Sequence, residues 1–311
     1  MDPVRAIADA VLYEGYLLWP YRRSATKNQR RWTFGGIYPR AHSERHPDDR
    51  WMMRTECLLE GDGAVAVTVR FLHVVARQAL REGEPVDELV AGGERHLSWD
   101  EAVERELTIG RPGRAPFAIA AGRREEPLAG GALVRSWEAL AGAVDVRAEA
   151  VAEGVRRVTV EVTNTTPWEG AQREDALRRT FCSTHAVLHA SAGRFISQTD
   201  PPARLRTAAE ACRNEGAWPV LVDADDRTVL ASAIILEDHP RIAPESPGDL
   251  FDGGEIDQML VLNILSLTDA EKAEMRDSDP RAREILERTE ALSEDELMRL
   301  HGAIREFGMA R

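Results

Sequence analysis

The stretch EDHPRIAPESPGDLFDGGEID, residues 237–257, carries seven carboxylates and one arginine. Glu237, Asp238, His239, Glu245, Asp249 and Asp252, together with Glu255 and Asp257, supply hard oxygen donors and one imidazole within a short length of chain. The oxygens suit calcium or magnesium, and His239 brings iron, nickel or zinc into range. The spacing matches no EF-hand loop. Two other partners for this charge stay open, namely basic side chains and water. Pro244, Pro247 and Gly248 stiffen the loop, and Asp252 or Gly254 precedes an expected helix at 255–266 whose positive end favours acids. A divalent metal ion is the one cofactor this composition raises.

His185 and His189, in HAVLH, have the four-residue spacing that shares a metal on a helix. The alternating, β-branched context predicts a strand instead, on which the two lie about 13 Å apart, too far for one ion. Cys182 stands near them, so a Cys–His nucleophile pair is one reading and a buried structural cysteine the other. GDGAVA fits the dinucleotide fingerprint at Gly61, Gly63 and Ala66, but that motif must open a helix. Val65, Val67 and Val69 follow with period two and predict a hairpin. The chain contains no Walker A sequence, GxSxG elbow or HExxH.

WPYRRSATKNQRRWTFGGIYP interleaves Trp19, Tyr21, Trp32, Phe34 and Tyr38 with Arg22, Arg23, Lys27, Arg30 and Arg31. Such a pattern can stack and neutralise single-stranded nucleic acid. A formal net charge of −13 argues against that role and against docking on anionic membranes. The carboxylates these arginines would fork onto belong to protein, either another subunit or this chain's own acidic stretch.

The elements that must position these residues are mostly strands. Residues 3–18 read as an amphipathic helix opened by Asp2-Pro3, and 19–50 as a long irregular segment of the sort that often carries function. Strands are predicted at 52–60 and 64–76 around Gly61-Asp62-Gly63, and at 115–121, 131–138, 143–151 and 155–163. Val158, Val160 and Val162 alternate with polar neighbours, as in a half-buried antiparallel strand. Helix is expected at 171–181, a hairpin at 183–198 around Gly193, helix again at 202–213, then two strands flanking Ala224-Asp225-Asp226. Thr268–Glu271 and Ser293–Glu296 have capping-box spacing and Asp279-Pro280 is a third helix start, with an apolar stripe at Ile285, Leu286, Leu292, Leu297, Leu300 and Ile304.

The fold class that results is α+β: a β-rich antiparallel, sandwich-like body with an N-terminal helix and a C-terminal helical segment. The expected divisions are 1–50, 51–267 and 268–311. The N-terminus lacks a basic region before an apolar core, no apolar run approaches the roughly 20 residues of a membrane span, and the three cysteines form no CxxC pair. A cytoplasmic protein without membrane insertion is expected; the oligomeric state is left open.

HPRIAPESPGDLFDGGEIDQMLVLNILSLTDAEK and LLWPYRRSATKNQRRWTFGG resemble an actinobacterial protein family associated with gene clusters for high-affinity nickel–iron hydrogenases. The resemblance implies an accessory, assembly or structural role near a metalloenzyme. With no catalytic constellation and two charged segments, the leading expectation is a non-catalytic accessory or scaffold protein that binds a protein partner, with a hydrogenase component the candidate. The alternative is a metal chaperone or metal-dependent enzyme using His239 and the acidic stretch, with His185 and Asp200 brought near by folding.

Overall fold

The computed structural model describes residues 3–14, 16, 21, 34–241, 257–293 and 296. The fold is α+β and β-rich, and every strand pairing is antiparallel. By contact the chain forms two compact units, Met1–Gly15 with Trp32–Arg241, and Tyr16–Arg31 with Ile242–Arg311.

The first unit begins with α1 (Pro3–Tyr13) and α2 (Arg40–Ser43), followed by β1 (Met52–Glu60), β2 (Val65–Arg81), β3 (Glu84–Val86), β4 (Glu88–Ala91), β5 (Glu94–Leu97) and β6 (Trp99–Ile109). It continues with β7 (Gly113–Ile119), β8 (Gly122–Leu128), β9 (Gly131–Trp137), β10 (Leu140–Ala152), β11 (Val155–Asn164) and α3 (Arg173–Leu177). It ends with β12 (Cys182–Ala190), β13 (Arg194–Ile196), α4 (Arg206–Glu210), β14 (Trp218–Leu221) and β15 (Thr228–Ser232). One sheet has the order β13-β1-β11-β10-β7, and the other β14-β15-β12-β2-β9-β8, with β3 and β6 also paired to β2. Strands β4 and β5 form a separate ribbon.

Period-two patterning explains the core. Val158, Val160 and Val162 of one sheet meet Val65, Val67, Val69 and Phe71 of the other, all in one apolar cluster. Phe71, Phe117 and Phe181 close one part of it, with ring centroids 4.8–6.1 Å apart. Strand β15 is buried on both faces. Val229 and Ala231 point into the sandwich, while Leu230 packs outward with Ile7, Ala8 and Val11 of α1. That is why its sequence reads as a continuous apolar run instead of an alternating one.

The two glycine turns expected to close hairpins do something else. Strand β1 belongs to the five-stranded sheet and β2 to the eight-stranded one, so Gly61–Ala64 carries the chain across the sandwich. Residues 191–193 do the same between β12 and β13. Cys57 and Leu59 of one sheet and Val65 and Val67 of the other meet in the same core. The two crossings press together. A Cβ on Gly63 would lie 1.9 Å from the Ala192 carbonyl oxygen, and one on Gly193 2.2 Å from that of Glu60.

In the second unit, α5 (Asp257–Leu265), α6 (Asp269–Ser278) and α7 (Pro280–Glu290) start where local signals place them. Thr268 and Glu271 form the capping box of α6, and the Asp279 side chain caps α7 ahead of Pro280. Ser293 and Glu296 also exchange the expected capping bonds. Buried Tyr16 donates its hydroxyl proton to Asp279 Oδ2 at 2.7 Å, and Ile285 and Leu286 are buried. Leu297, Leu300 and Ile304 lie outside the described residues. No helix among the described residues is long and apolar enough to cross a membrane.

The crossings make a direct prediction. Gly63→Ala should lower stability by about 2–3 kcal/mol or more, because backbone must move to admit the methyl. Gly110→Ala, where a Cβ meets nothing within 4 Å, should change it by under about 0.5 kcal/mol. Urea unfolding of both variants checks this, and equal effects would remove the packed crossing.

Candidate functional site

Of the acidic stretch, residues 237–241 and 257 are described, and Asp238 and His239 tie the chain to its neighbours. Asp238 Oδ2 accepts hydrogen bonds from Ser197 (2.5 Å) and Thr199 (3.2 Å), and its Oδ1 accepts the Leu221 N–H at 2.8 Å. The His239 N–H donates to the Leu221 carbonyl at 2.6 Å, and its Nε2 lies 3.5 Å from Asp226 Oδ1. Glu237 is exposed. Glu245, Asp249 and Asp252 lie outside the described residues, so the metal reading there rests on sequence. Among the described residues no group of three or more His, Cys, Asp or Glu side chains is placed to hold a metal ion.

The basic segment stands similarly. Trp19, Arg22, Arg23, Lys27, Arg30, Arg31 and Trp32 lie outside the described residues. Tyr21 is described and fully buried.

His185 and His189 lie on strand β12, as the pattern predicts. His185 is enclosed opposite Arg70 of β2, and burial first, with the Arg70 charge second, brings its pKa down to about 3. Burial with Arg105 likewise lowers His73 to about 4. Cys182 is fully buried with Sγ 3.8 Å from the Thr180 carbonyl, which is the structural role. Burial also holds the Cys57 and Cys212 thiols above their ordinary range, so neither is an activated nucleophile.

The feature the sequence reading did not resolve is a groove of about 910 Å³ over the outer face of the five-stranded sheet. Its floor comes from the polar positions that alternate with the core valines. Arg54 of β1 donates from Nε to Glu161 of β11 at 2.7 Å, and Arg147 meets the other Glu161 oxygen at 2.7 Å. Arg114, Met52 and Thr163 complete that surface. One wall is α2 with Trp51, and the other is the 165–169 loop with Trp168.

Both walls are held from behind. Asn164, fully buried, donates to the carbonyls of Ile37 and Arg179, each at 2.8 Å, and accepts the Thr166 N–H at 2.9 Å. One amide thereby ties three segments. His42, on α2, stacks on Tyr38 and His46 with centroids 5.1 and 4.5 Å away, meets the Trp168 ring edge-on, and holds Asp49 at 2.9 Å through Nε2. Arg173 reaches Tyr38 Oη and covers its ring; burial pushes that phenol well above its ordinary range.

The rim pairs arginines with tryptophans, and Arg40 also bonds Glu44 at 3.1 Å. The Arg40 guanidinium lies 4.8 Å over the Trp51 ring, and that of Arg45 lies 5.2 Å over Trp168. Arg45 also donates to the Gly170 carbonyl at 3.0 Å. Each arginine is therefore oriented before any ligand arrives. The signal that could have found this site is the four-residue spacing of His42 and His46 inside a long irregular segment, next to Trp51. It was legible as a type of segment but not as a place.

Two outcomes are expected. Removing Asp238 should cost stability, so Asp238→Ala is expected to lose about 1–3 kcal/mol, measured by urea unfolding; an unchanged midpoint would contradict its role as a latch. The buried histidines set an acid limit. Their native pKa values lie below the unfolded value near 6.5, so the unfolded chain binds more protons, and stability present above pH about 6.5 is lost as pH falls toward 4 and 3. His185→Gln should flatten that loss by up to about 1.4 kcal/mol per pH unit, read from denaturation midpoints across the window. No family model matches this chain, and no curated protein matches it.

Proposed function

We propose that this chain is a non-catalytic accessory or assembly protein whose groove takes an extended segment of a partner protein. The observation that carries the reading is the pair of arginines stacked on tryptophans at the groove rim. Arginine and tryptophan are the side chains most often found as anchors of protein interfaces. Prior stacking lowers the ordering cost of docking.

The sheet edges support the groove as the face offered. Edge strand β13 has three residues, edge strands β7, β8 and β14 contain Pro116, Pro127 and Pro219, and β6 carries Asp100, Glu101, Glu104, Arg105 and Glu106. Short, proline-bearing or charged edges resist strand addition. The resemblance of the 239–272 and 17–36 runs makes a nickel–iron hydrogenase component the first partner to test. The three cysteines are all free thiols, which suits a reducing cytoplasm.

Affinity capture from native cells tests the reading. Wild-type protein should retain a stoichiometric partner. Arg40→Glu with Arg45→Glu should cut recovery by about tenfold or more, the loss expected for two interface arginines, while Arg123→Glu on β8 should not. Equal recovery by both variants, with melting temperatures matched to wild type, would overturn the groove as the docking face.

A further inference from the structure

The outer face of the eight-stranded sheet holds an arrangement the groove does not use. Strand pairing sets His189 of β12 directly opposite Thr228 of β15, so their side chains share a face. His189 Nδ1 lies 3.0 Å from Thr228 Oγ1, and that oxygen lies 2.6 Å from Asp223 Oδ2. Asp223 Oδ1 accepts the N–H groups of Arg227 at 2.8 Å and Thr228 at 3.1 Å. Thr228 is buried while His189 is exposed.

Counting protons gives the relay a direction. A threonine hydroxyl has one proton, and a carboxylate can only accept. The Thr228 proton therefore goes to Asp223, and its oxygen is left to accept from His189 Nδ1–H. In the neutral ring that assignment leaves Nε2 with a bare lone pair. The same carboxylate-backed orientation is used wherever a histidine must present one nitrogen in a set direction.

His189 lines an open cleft of about 540 Å³. The other walls are Val4 of α1, Val187 of β12, and Val222, Asp223, Ala224 and Thr228 around the β14–β15 turn. The cleft offers apolar surface and one oriented acceptor, on the scale of a small-molecule site. Three uncharged donors already occupy Asp223, leaving about one of its roughly four lone-pair sites open to a ligand. A carboxylate ligand ionised at neutral pH has no proton to give. A neutral hydroxyl on an apolar body fits, and a phenol, with a pKa near 10, donates more strongly than an aliphatic alcohol.

We infer that this cleft binds a small aromatic alcohol, its ring against Val4, Val187 and Val222 and its hydroxyl donating to His189 Nε2. Imidazole nitrogen NMR of the full chain tests this with 4-ethylphenol and with ethylbenzene, which lacks the hydroxyl. The Nδ1–H tautomer should be seen at His189, and 4-ethylphenol should shift Nε2 saturably. Ethylbenzene should bind about fivefold or more weakly, the worth of one neutral hydrogen bond. Thr228→Val keeps the shape but removes the relay, and should bring 4-ethylphenol down to the ethylbenzene level. Should that variant fail to fold, His189→Gln at the exposed ring gives the same comparison by calorimetry. A wild-type Nε2–H tautomer, no saturable shift with 4-ethylphenol, or equal binding of the two probes would overturn the inference.

Discussion

A guanidinium cannot be buried without counter-charge, and Arg70 is only 3% exposed. Its position in the middle of β2 obliges three carboxylates to converge, Asp9 at 2.6 Å, Glu104 at 3.2 Å and Glu106 at 3.5 Å. Asp9 comes from α1, so the helix is held in position by charge as well as by Ile7, Ala8 and Val11. Tyr13 then donates to Glu104 at 2.6 Å, pinning the helix a second time. His185, opposite Arg70, stays neutral because an imidazolium there would be both desolvated and repelled. Such a network adds little net stability but selects one placement of α1. That placement sets Val4 at the cleft beside His189.

The sandwich is stitched by its connections. The chain changes sheet between β1 and β2, β6 and β7, β7 and β8, β9 and β10, β11 and β12, and again on either side of β13. A core filled by interdigitated valines and phenylalanines leaves the interior to packing. Chemistry is displaced to the outer faces, where every second residue of each strand is free to be polar. The groove and the cleft lie on opposite outer faces for this reason: Arg54 and Glu161 alternate with core residues in one sheet, His189 and Thr228 in the other.

The groove also shows how little of a binding surface need be rigid by itself. Residues 37–51 contain only one turn of helix. Their order comes from Asn164, from the Ile37–Phe181 bridge and from the stack on His42. Asn164, Phe181 and Gly170 reach this segment from more than a hundred residues away, so the rim arginines inherit rigidity from the sandwich beneath them.

What the sequence determined by itself was local. Period-two valines defined β11 and the first half of β2, Ala224-Asp225-Asp226 marked a true turn between β14 and β15, and Thr268–Glu271 and Asp279-Pro280 started their helices, because each of these signals acts over a few residues. The strand character of His185 and His189 was legible for the same reason. Tertiary structure alone decided which strands share a sheet. A glycine turn looks alike whether it closes a hairpin or crosses a core, and the pairing of β1 and β2 into different sheets tells them apart. It also decided the sites. Trp51 and Trp168 are 117 positions apart in sequence, and Asp223, Thr228 and His189 align only through β12–β15 pairing. Contacts between distant segments depend on chain topology, which no local pattern of side chains encodes.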